Sequence, residues 1–579
     1  MGNFTSSPGV SLNEIDNTYL SGQPIQVGAA IVGPTVKGPV EIPTVVSSYS
    51  EYTNIFGDTF TSGSDQFSYL TSIAAYNYFN YGGKSLLVAR VVSGSYSPAT
   101  SSIVATGSAP VDANGYVSSS YVGPNTFILE TLSEGILMNN ATTGSTNASL
   151  TSGTKDNLRY EITNMNTGSG TFNVVIRSGN DTSVKKNVLE SFNGVSLDPT
   201  SPNFISKVIG NQNLAYNSTN NQIELSGEYP NRSRYVRVKQ VNVLTPNYLD
   251  VNGLPQSQYT SSIPSNQNGF FGGATGTIKD GANMYDAINA SNTQGLVAAN
   301  YTNMINLLSN TNDYKFNILS TPGLTNDLHT SAISSIINNT QLRGDNIYVL
   351  DLTVQSATIS DAITQAQSRD NSFATTYWPW VNIVDPGTGK NVWVPASTLI
   401  PGVYANNDKI SAPWFVPAGI GRGGLHSVQR AKYKLSEQNK TDLQNANINP
   451  LATMPRYGVV AFGQKTLQKG QSALDRINVR RLLIELKNYI GQVADNLVFE
   501  QNTLVTRNNF LSQVRPYLEK IQQAQGLYAF NVIMDETNNT ADVIDRNQLI
   551  GQIYIQPSRT VEFVSLDFIL QPTGTTFPG

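Results

Sequence analysis

The residue types that carry most enzymatic and metal chemistry are scarce in this sequence. Among its 579 residues there is no cysteine, and the two histidines, His329 and His426, lie far apart in the chain. Without cysteine there is no disulfide, thiol nucleophile, iron–sulfur cluster or cysteine-based zinc site. Neither histidine belongs to an HExxH or other paired-ligand spacing, which argues against most zinc and serine-triad chemistry. We therefore predict no catalytic residue, no metal site and no cofactor.

Two glycine-rich segments resemble phosphate-binding loops only superficially. Residues 269–276 contain four glycines, whose backbone amides could approach a pyrophosphate. They do not form a GxxxxGK[ST] motif, and they precede the alternating strands and helices instead of joining a strand to a helix. The segment 387–390, Gly-Thr-Gly-Lys, lacks the upstream glycine of a P-loop and follows an Asp-Pro turn signal. We predict that both segments are structural turns.

Carboxylate pairs and clustered tryptophans are the next candidates for chemistry. The carboxylate pairs are Asp535 with Glu536 and Asp542 with Asp545. General acid–base work needs convergent groups with shifted pKa values, so these pairs are predicted to be solvated loop charges. Trp378 and Trp380 could stack on a ligand, but aromatic residues at the end of a buried strand more often anchor a core. The core interpretation is favoured.

A short basic cluster, Arg476, Arg480 and Arg481, lies at the start of a predicted helix. Arg476 and Arg480 are spaced by four residues and would share a helix face, with the apolar stripe on another face. One interpretation is a solvated face with Asp475 nearby. The other is an ion-pairing surface for a protein partner, because guanidinium groups suit carboxylates. The spacing alone leaves both open.

The composition of the chain argues against nucleic acids and membranes as binding partners. Charged residues make up 13% of the chain, against about 25% in ordinary soluble domains. The net charge of −4 argues against nucleic-acid binding, which needs an excess of clustered lysine and arginine. No run of about 18 apolar residues occurs, and the N-terminus lacks the pattern of a signal peptide. We expect a soluble, unprocessed chain without membrane insertion.

The N-terminal part alternates between strands and helix after an extended arm. The chain length predicts about four domains. Residues 1–20 contain a short extended pattern with nothing nearby to pack against, which is typical of an arm. Apolar patterns then predict strands at 27–32, 44–46 and 85–92 and a helix at 66–81. This is a first α/β unit.

The next region, 93–268, changes character. Ser, Thr, Asn and Gly dominate it, and its apolar runs are short and alternating, as in 172–176 and 235–238. These patterns predict mainly strands displayed on the outside of the molecule. An alternative is that 188–192 and 204–209 return to the α/β body as a strand and a helix.

The second half again alternates strands with helices. Residues 316–384 predict a βαβαβ run and hence a parallel sheet with right-handed crossovers. From about residue 402 a second α/β unit follows, with a strand at 458–462 and a long amphipathic helix at 478–499. Helical spacing continues over 510–525, although Pro516 predicts a kink or restart there. The last strands are predicted over 527–534, 549–556 and 561–570.

Several ordered segments make the chain similar to a known family. The C-terminal ones are 458–466 (GVVAFGQKT), 475–482 (DRINVRRL), 499–502 (FEQN), 543–547 (VIDRN) and 554–557 (YIQP). The N-terminal ones are 7–10 (SPGV), 30–33 (AIVG) and 37–39 (KGP). With these segments the chain resembles contractile-tail sheath proteins of myophages, most closely the T4-like group, over residues 1–92 and 269–570. It departs from the family in the 93–268 region and at Gln501, where many relatives have proline.

The resemblance and the patterns together give a mixed α/β (α+β), multidomain fold class. The sheath core comes from the N- and C-terminal parts, with an inserted β-rich outer domain and extended terminal arms. The expected units are the arm 1–20, an α/β domain of 21–92 plus 269–400, the insertion 93–268, a C-terminal domain 401–560 facing the tube, and a final strand and arm 561–579.

The resemblance implies a structural subunit and not an enzyme. Sheath proteins form stacked hexameric rings, a helical sheath, around a tail tube, with baseplate and tail terminator proteins as further partners. Contraction drives the tube through the host envelope. The implied location is the virion, after assembly in the host cytoplasm. Two other classes stay open: another virion or surface protein that forms shells or arrays, and an α/β enzyme.

The expected site residues follow from this interpretation. Extended termini beside compact α/β units are what β-strand exchange between subunits requires. The residues expected in the intersubunit arms are Val10, Leu12, Ile15, Val561, Val564, Leu566 and Phe568. The candidate contacts to the tube or to the lattice are Arg476, Arg480 and Arg481.

Overall fold

The structure, a computed structural model, describes residues 25–105, 125–140, 145–146, 149–150, 153–182, 184–277 and 287–562. The first elements in chain order are β1 (Ile25–Gly33), β2 (Thr44–Val46), α1 (Tyr49–Phe56), β3 (Phe60–Ser62), β4 (Asp65–Phe67), α2 (Leu70–Asn80) and β5 (Leu86–Arg90). The predicted helix at 66–81 begins later than expected, because residues 60–67 pair as a short hairpin, β3 with β4.

The middle of the chain is β-rich, as predicted. Its elements are β6 (Pro98–Val104), β7 (Asn125–Glu134), β8 (Ser145–Thr146), β9 (Ser149–Leu150), β10 (Leu158–Asn166), β11 (Thr171–Ser178), β12 (Val188–Ser196), α3 (Ile205–Ile209), β13 (Asn213–Asn217), β14 (Gln222–Ser226), β15 (Val236–Val241), α4 (Ser257–Thr260) and β16 (Gln267–Phe270). Two antiparallel sheets, ordered β12-β11-β10-β16 and β15-β7-β6, enclose a core of their own, in which Phe127 stacks on Phe172. Since β12 pairs with β11, residues 188–192 do not return to the α/β body.

The second half carries the alternating elements. They are α5 (Thr302–Leu307), β17 (Tyr314–Thr325), α6 (Thr330–Arg343), β18 (Ile347–Asp351), α7 (Ile359–Gln367), β19 (Ala374–Trp378), β20 (Val381–Val384), β21 (Asn391–Val394), α8 (Ile400–Ile410), α9 (Gly419–Arg422), β22 (Val428–Ala431), α10 (Glu437–Asn445), β23 (Asn449–Met454) and β24 (Gly458–Ala461). β17, β18 and β19 pair in parallel, which confirms the predicted parallel sheet.

The C-terminal part is a helical pair beside a hairpin. Its elements are α11 (Ile477–Asp495), α12 (Leu504–Gln523), β25 (Leu527–Ile533), α13 (Ala541–Asp545) and β26 (Gln552–Pro557). Helix α12 runs through Pro516 without ending, so of the two alternatives predicted there, a kink or a restart, the restart is wrong. Pro516 lies on the exposed side of α12, where water can satisfy the carbonyl that loses its amide partner. The buried side of α12 carries the apolar repeat, and that packing holds the helix together.

The central eight-stranded sheet gathers strands from distant parts of the chain. Its order is β2-β5-β1-β17-β18-β19-β23-β24, parallel from β5 to β23 and antiparallel at both edges. The first described strand, β1, therefore pairs with β17, and β23 of the C-terminal region extends the same sheet. The domain boundaries expected from the sequence stay predictions.

Two apolar layers cover the central sheet. Alternation along β18 sends Val349 to one face and Tyr348 and Leu350 to the other. Helices α2 and α8 cover the first face, while α5, α6, α7 and α10 cover the second. Trp380 and Trp378 are buried in these two layers respectively, which confirms that they are core anchors.

Candidate assembly surface

At the carboxyl ends of the parallel strands, where α/β enzymes bind their ligands, a loop of the chain itself is hydrogen-bonded to the ends of the elements. The side-chain oxygen of Gln294 accepts a hydrogen bond of 2.8 Å from the Leu70 amide at the start of α2. The amide nitrogen of Gln294 donates to the Pro322 carbonyl at 3.0 Å, and Thr293 donates to the Gly323 carbonyl at 2.6 Å. These contacts tie the loop before α5 across β17 where a substrate would enter.

The motifs singled out in the sequence have structural roles. Gly269 lies inside β16 against the Tyr160 ring, where a side chain would collide with that ring. Its segment therefore begins as a strand and not as a turn. The 387–390 segment is the turn between β20 and β21, as predicted, and the carboxylate of Asp385 accepts from the Gly387 amide at 3.0 Å. Gly389 has a φ of 70°, a conformation that favours glycine in such turns.

The histidines are structural as well. His329 is buried, and burial lowers its pKa. Its Nδ1 accepts from the Thr325 amide at 3.1 Å, and its Nε2 lies 3.2 Å from the Asn289 carbonyl, which together fix the ring before α6. His426 stacks on the Tyr81 ring at 6.0 Å. In the part of the chain that the structure describes, no three His, Asp or Glu side chains are grouped as metal ligands would be.

No helix among the described residues is both long and apolar enough to cross a membrane.

The C-terminal hairpin of β25 and β26 is the clearest candidate surface for assembly. It is a two-stranded antiparallel sheet that pairs with no other described strand. One face of the hairpin packs on α11 and α12, in a cluster that includes Leu486, Val514, Leu518 and Val532. An isolated two-stranded ribbon is marginally stable in water, so these helices support it. Its outer strand edges carry backbone groups that another strand can use.

The two edges of this hairpin differ. The carbonyls of Tyr528 and Val532 on β25 accept hydrogen bonds from Gln522 (2.9 Å) and Arg515 (3.3 Å) of α12. The carbonyl of Val532 therefore points away from β26, and Val532 and its partner Ile553 form a non-hydrogen-bonded pair. The backbone N–H and C=O of Ile553 then point outward from β26. By the same alternation those of Ile555 do so too. Among the residues that the structure describes, the edge of β26 is the open one.

The segment that follows β26, residues 558–562, is attached to the body and is called the strap below. The Arg476 guanidinium donates two hydrogen bonds to the Glu562 carboxylate, from Nε to Oε1 at 2.7 Å and from a terminal nitrogen to Oε2 at 3.0 Å. The Gln464 amide donates to Thr560 and to Glu562, both at 2.8 Å. The strap forms one wall of a cleft of about 1790 Å³ between the hairpin and helices α7, α10 and α11. Val561 on the strap is 80% exposed.

The three arginines of the basic cluster have different environments. Arg476 precedes the first helical residue of α11, in an extended conformation, and its side chain also lies 3.0 Å from Asp475. Arg480 and Arg481 are each only 4% exposed, so the expected shared surface face of Arg476 and Arg480 does not form. The helix starts one residue too late for Arg476 to belong to that face.

Arg480 holds α11 against the segment that precedes β19, and Arg481 holds it against α8. Arg480 donates to the Ser372 carbonyl at 3.2 Å and lies 3.9 Å from the Phe373 ring centre, and burial lowers its pKa to about 10. Arg481 pairs with Asp408 at 2.6 Å. Burial alone would lower the pKa of Arg481, but the Asp408 carboxylate raises it overall.

Six of the seven residues expected in the intersubunit arms lie outside the described residues. They are Val10, Leu12, Ile15, Val564, Leu566 and Phe568. Their role stays a prediction. Glu562 and Gln464 were not singled out from the sequence, although Gln464 lies within the segment 458–466 that carries the resemblance. A long-range ion pair between positions 476 and 562 leaves no local pattern in the sequence.

The chain is similar in sequence to phage tail sheath proteins. Residues 470–571 match the family model described as the phage tail sheath C-terminal domain. Two tail sheath proteins are similar to about a third of the chain: that of Vibrio phage KVP40, 39% identical over 193 residues (33% of this chain, 29% of the relative), and that of Enterobacteria phage T4, 37% identical over 187 residues (32% and 28%). The chain thus matches less than a third of the length of these relatives.

The fold is similar to that of a solved sheath protein over most of the chain. The crystal structure of a sheath tail protein from Listeria innocua superposes with a TM-score of 0.52 at 10% sequence identity, covering 92% of this chain and 95% of that one. At this identity the likeness concerns the fold alone. The mixed α/β, multidomain fold class predicted from the sequence is confirmed. About a third of the chain is similar to tail sheath proteins of T4-like myophages, and residues 470–571 match the phage tail sheath C-terminal domain.

Proposed function

We propose that this protein is the structural subunit of a contractile phage tail sheath, a virion component without enzymatic activity. The observation that carries the proposal is the open edge of β26 on a supported hairpin, within a region homologous to tail sheath proteins. An added strand would gain main-chain hydrogen bonds from Ile553 and Ile555, and the helices behind the hairpin would hold the acceptor in place.

The strands that fill this edge come, in the proposal, from the termini of neighbouring copies. Residues 1–20 and 561–579 are the arms, with Val10, Leu12, Ile15, Val561, Val564, Leu566 and Phe568 as the residues that enter the shared sheets. Alternating apolar residues in the last segment suit a strand with one buried face. Arm exchange links subunits durably and still lets each body rotate.

The assembled form follows from the family resemblance. The copies stack as hexameric rings around a tail tube, between a baseplate and a tail terminator protein, after assembly in the host cytoplasm. Contraction drives the tube through the host envelope. The extended sheath is a kinetically trapped state, and the contact area gained between subunits on contraction provides the driving force without a cofactor. Arg476, the least buried of the three arginines, is the one best placed to contact the tube or the lattice.

The proposal is tested by comparing the full chain with a chain that lacks residues 1–20, by negative-stain electron microscopy and circular dichroism. The full chain should form hollow tubes wide enough to surround another tube. The shortened chain should stay a folded monomer, because the acceptor hairpin is intact but its donor arm is missing. Tubes of normal length from the shortened chain contradict the role of the arm. Shells or flat arrays from the full chain contradict the sheath itself and indicate another assembly protein.

A further inference from the structure

A basic strip lies on the outer face of the three-stranded sheet β21-β20-β22. The strip consists of Arg430, Lys432 and Lys434 together with Trp393. Arg430 and Trp393 both lie opposite Asn382 of the central strand, so their side chains share one face. Two of the cations contact the Trp393 ring: the Arg430 guanidinium lies 5.2 Å and the Lys432 ammonium 5.0 Å from its centre.

Alternation along the chain directs the cations outward. Tyr433 stacks on Trp378 with ring centres 5.1 Å apart, and Leu435 packs on the same apolar layer. Lys432 and Lys434, which alternate with these two residues, are exposed. The body therefore fixes the direction of the strip, and contact with the Trp393 ring helps to hold Arg430 and Lys432 in place.

The charges of the basic strip are not neutralised within the described part of the chain. None of the three cations takes part in an ion pair there, whereas other lysines such as Lys390 and Lys440 do. The sequence from 409 to 436 contains no Asp or Glu at all. Three exposed cations without an ion pair among the described residues, two of them beside an indole, suit carboxylates on a protein partner. They are few for a nucleic acid, and the net charge of −4 opposes one.

The complementary charges are present elsewhere in the same chain. Residues 535–546, here called the acidic loop, connect β25 to β26 and contain four carboxylates and one arginine. Asp535, Glu536 and Asp545 are exposed, and the ion pair of Arg546 within the described segments is with Asp542. Hydrogen bonds from Thr537 lower the pKa of Asp535 and keep it ionised. Over the described residues, no ion pair joins the basic strip to the acidic loop within one copy.

We propose that the basic strip binds the acidic loop of a second copy of this chain. Two different patches on identical subunits form a heterologous contact, which repeats from copy to copy and so builds rings or helices. This inference rests on the proposed function, since it concerns the polymer, but it assigns a contact that strand exchange does not require. The acidic loop adjoins the β26 hairpin, so the contact would align a neighbour beside the open edge of that hairpin.

The test is a charge swap in the full chain. One variant carries Lys432→Glu and Lys434→Glu, and the other carries Asp535→Lys and Glu536→Lys. Each alone brings like charges together, and we expect roughly a tenfold loss of sedimenting polymer. An equimolar mixture of the two should recover it, because each reversed patch then meets its complement on the other variant. The control, Lys84→Glu with Lys185→Glu, reverses two exposed lysines elsewhere and should polymerise normally.

Three outcomes overturn the inference. The first is a normal amount of polymer from each of the two variants on its own. The second is a loss of polymer that mixing the two variants does not recover. Loss of co-sedimentation with tail tube protein, with unchanged self-association, would make the tube the partner instead. Failure of the proposed function is distinguishable, because the full unmutated chain would then form no tubes. Sedimentation velocity of the mixture still reports the contact in that case, as heavier species than either variant gives alone. Circular dichroism verifies that each variant is folded.

Discussion

At the scale of single residues, the buried ionisable groups of this protein are held by specific partners. Asp351, at the end of β18, is fully buried and accepts a hydrogen bond of 3.1 Å from the Ser397 amide and another from the Ser397 hydroxyl. Burial raises the pKa of Asp351 to about 7, although the bonds from Ser397 oppose the shift. The folded protein thus keeps a proton that the unfolded chain releases at a lower pH.

Asp351→Asn is therefore expected to change how stability depends on pH. The stabilising effect of the protonated carboxyl is complete below the unfolded pKa of 3.8 and is lost as pH rises through the folded pKa of about 7. The asparagine does not titrate. The free energy of unfolding of the variant should therefore be higher than that of the original chain by up to about 4 kcal/mol at pH 8, and the two should be equal near pH 4. Urea unfolding at pH 4.5, 6 and 8 measures this. The exposed-site control Glu228→Gln should leave the pH dependence as it is.

The Arg481–Asp408 pair gives a second prediction at this scale. Arg481 is buried and Asp408 is partly exposed, so the two partners are not equivalent. Asp408→Ala leaves a buried guanidinium without its carboxylate and should cost about 3 kcal/mol of the free energy of unfolding. Arg481→Met leaves only a solvated carboxylate and replaces the stem with apolar atoms, so it should cost clearly less. Equal losses in urea unfolding would contradict this asymmetry.

The role of a residue was predictable from the sequence when its neighbours along the chain determine that role, and not when a distant residue does. The core role of Trp378 and Trp380 was predictable, because a buried strand end implies it locally. The burial of Arg480 was not, because its partner Ser372 lies more than a hundred residues away. Spacing of four residues places two side chains on one face only when both belong to the helix, and Arg476 lies just before it.

At the scale of elements, apolar periodicity predicted the parallel strands β17 to β19 and helix α11. Periodicity reports which face of an element is buried but not which strand is its neighbour. The pairing of β1 with β17, and the addition of β23 to the central sheet, therefore lay beyond it. The continuity of α12 was missed for a related reason. The cost of Pro516 is a local property, whereas the packing of Val514 and Leu518 that outweighs it is tertiary.

The open edge of β26 allows an element-scale test of strand addition. Ile553→Pro removes an outward N–H and also the isoleucine packing, while Ile553→Ala removes only the packing. Both variants should lose stability, by roughly 1–3 kcal/mol from the lost side chain. Only the proline variant should abolish tube formation in electron microscopy. If the alanine variant loses tube formation to the same extent, the loss of polymer comes from the weakened hairpin and not from the missing backbone N–H of residue 553.

At the scale of the whole molecule, buried contacts join the parts of the body. The β-rich middle region is tied to the central sheet by buried contacts: Arg90 donates to the Gly38 and Glu134 carbonyls, and Lys37 lies 3.3 Å from Asp156. A subunit joined to its neighbours by arms and by charged patches can rotate in a lattice without refolding, since those links lie at its periphery. In the proposed sheath, growth then depends on every copy both giving and accepting an arm.

A chain that accepts an arm but lacks the N-terminal arm should therefore stop growth. The chain lacking residues 1–20 keeps the β26 edge, so it can receive the arm of a full-length neighbour and enter the lattice. It then has no N-terminal arm to pass to the next copy, and growth ends at that position. Added at about one part in ten to the full chain, it should shorten the tubes in electron micrographs in proportion to its share. The same shortened chain with Ile553→Pro lacks both the N-terminal arm and the open acceptor edge and should leave tube length unchanged. Equal shortening by both chains would mean that the effect does not pass through the open strand edge.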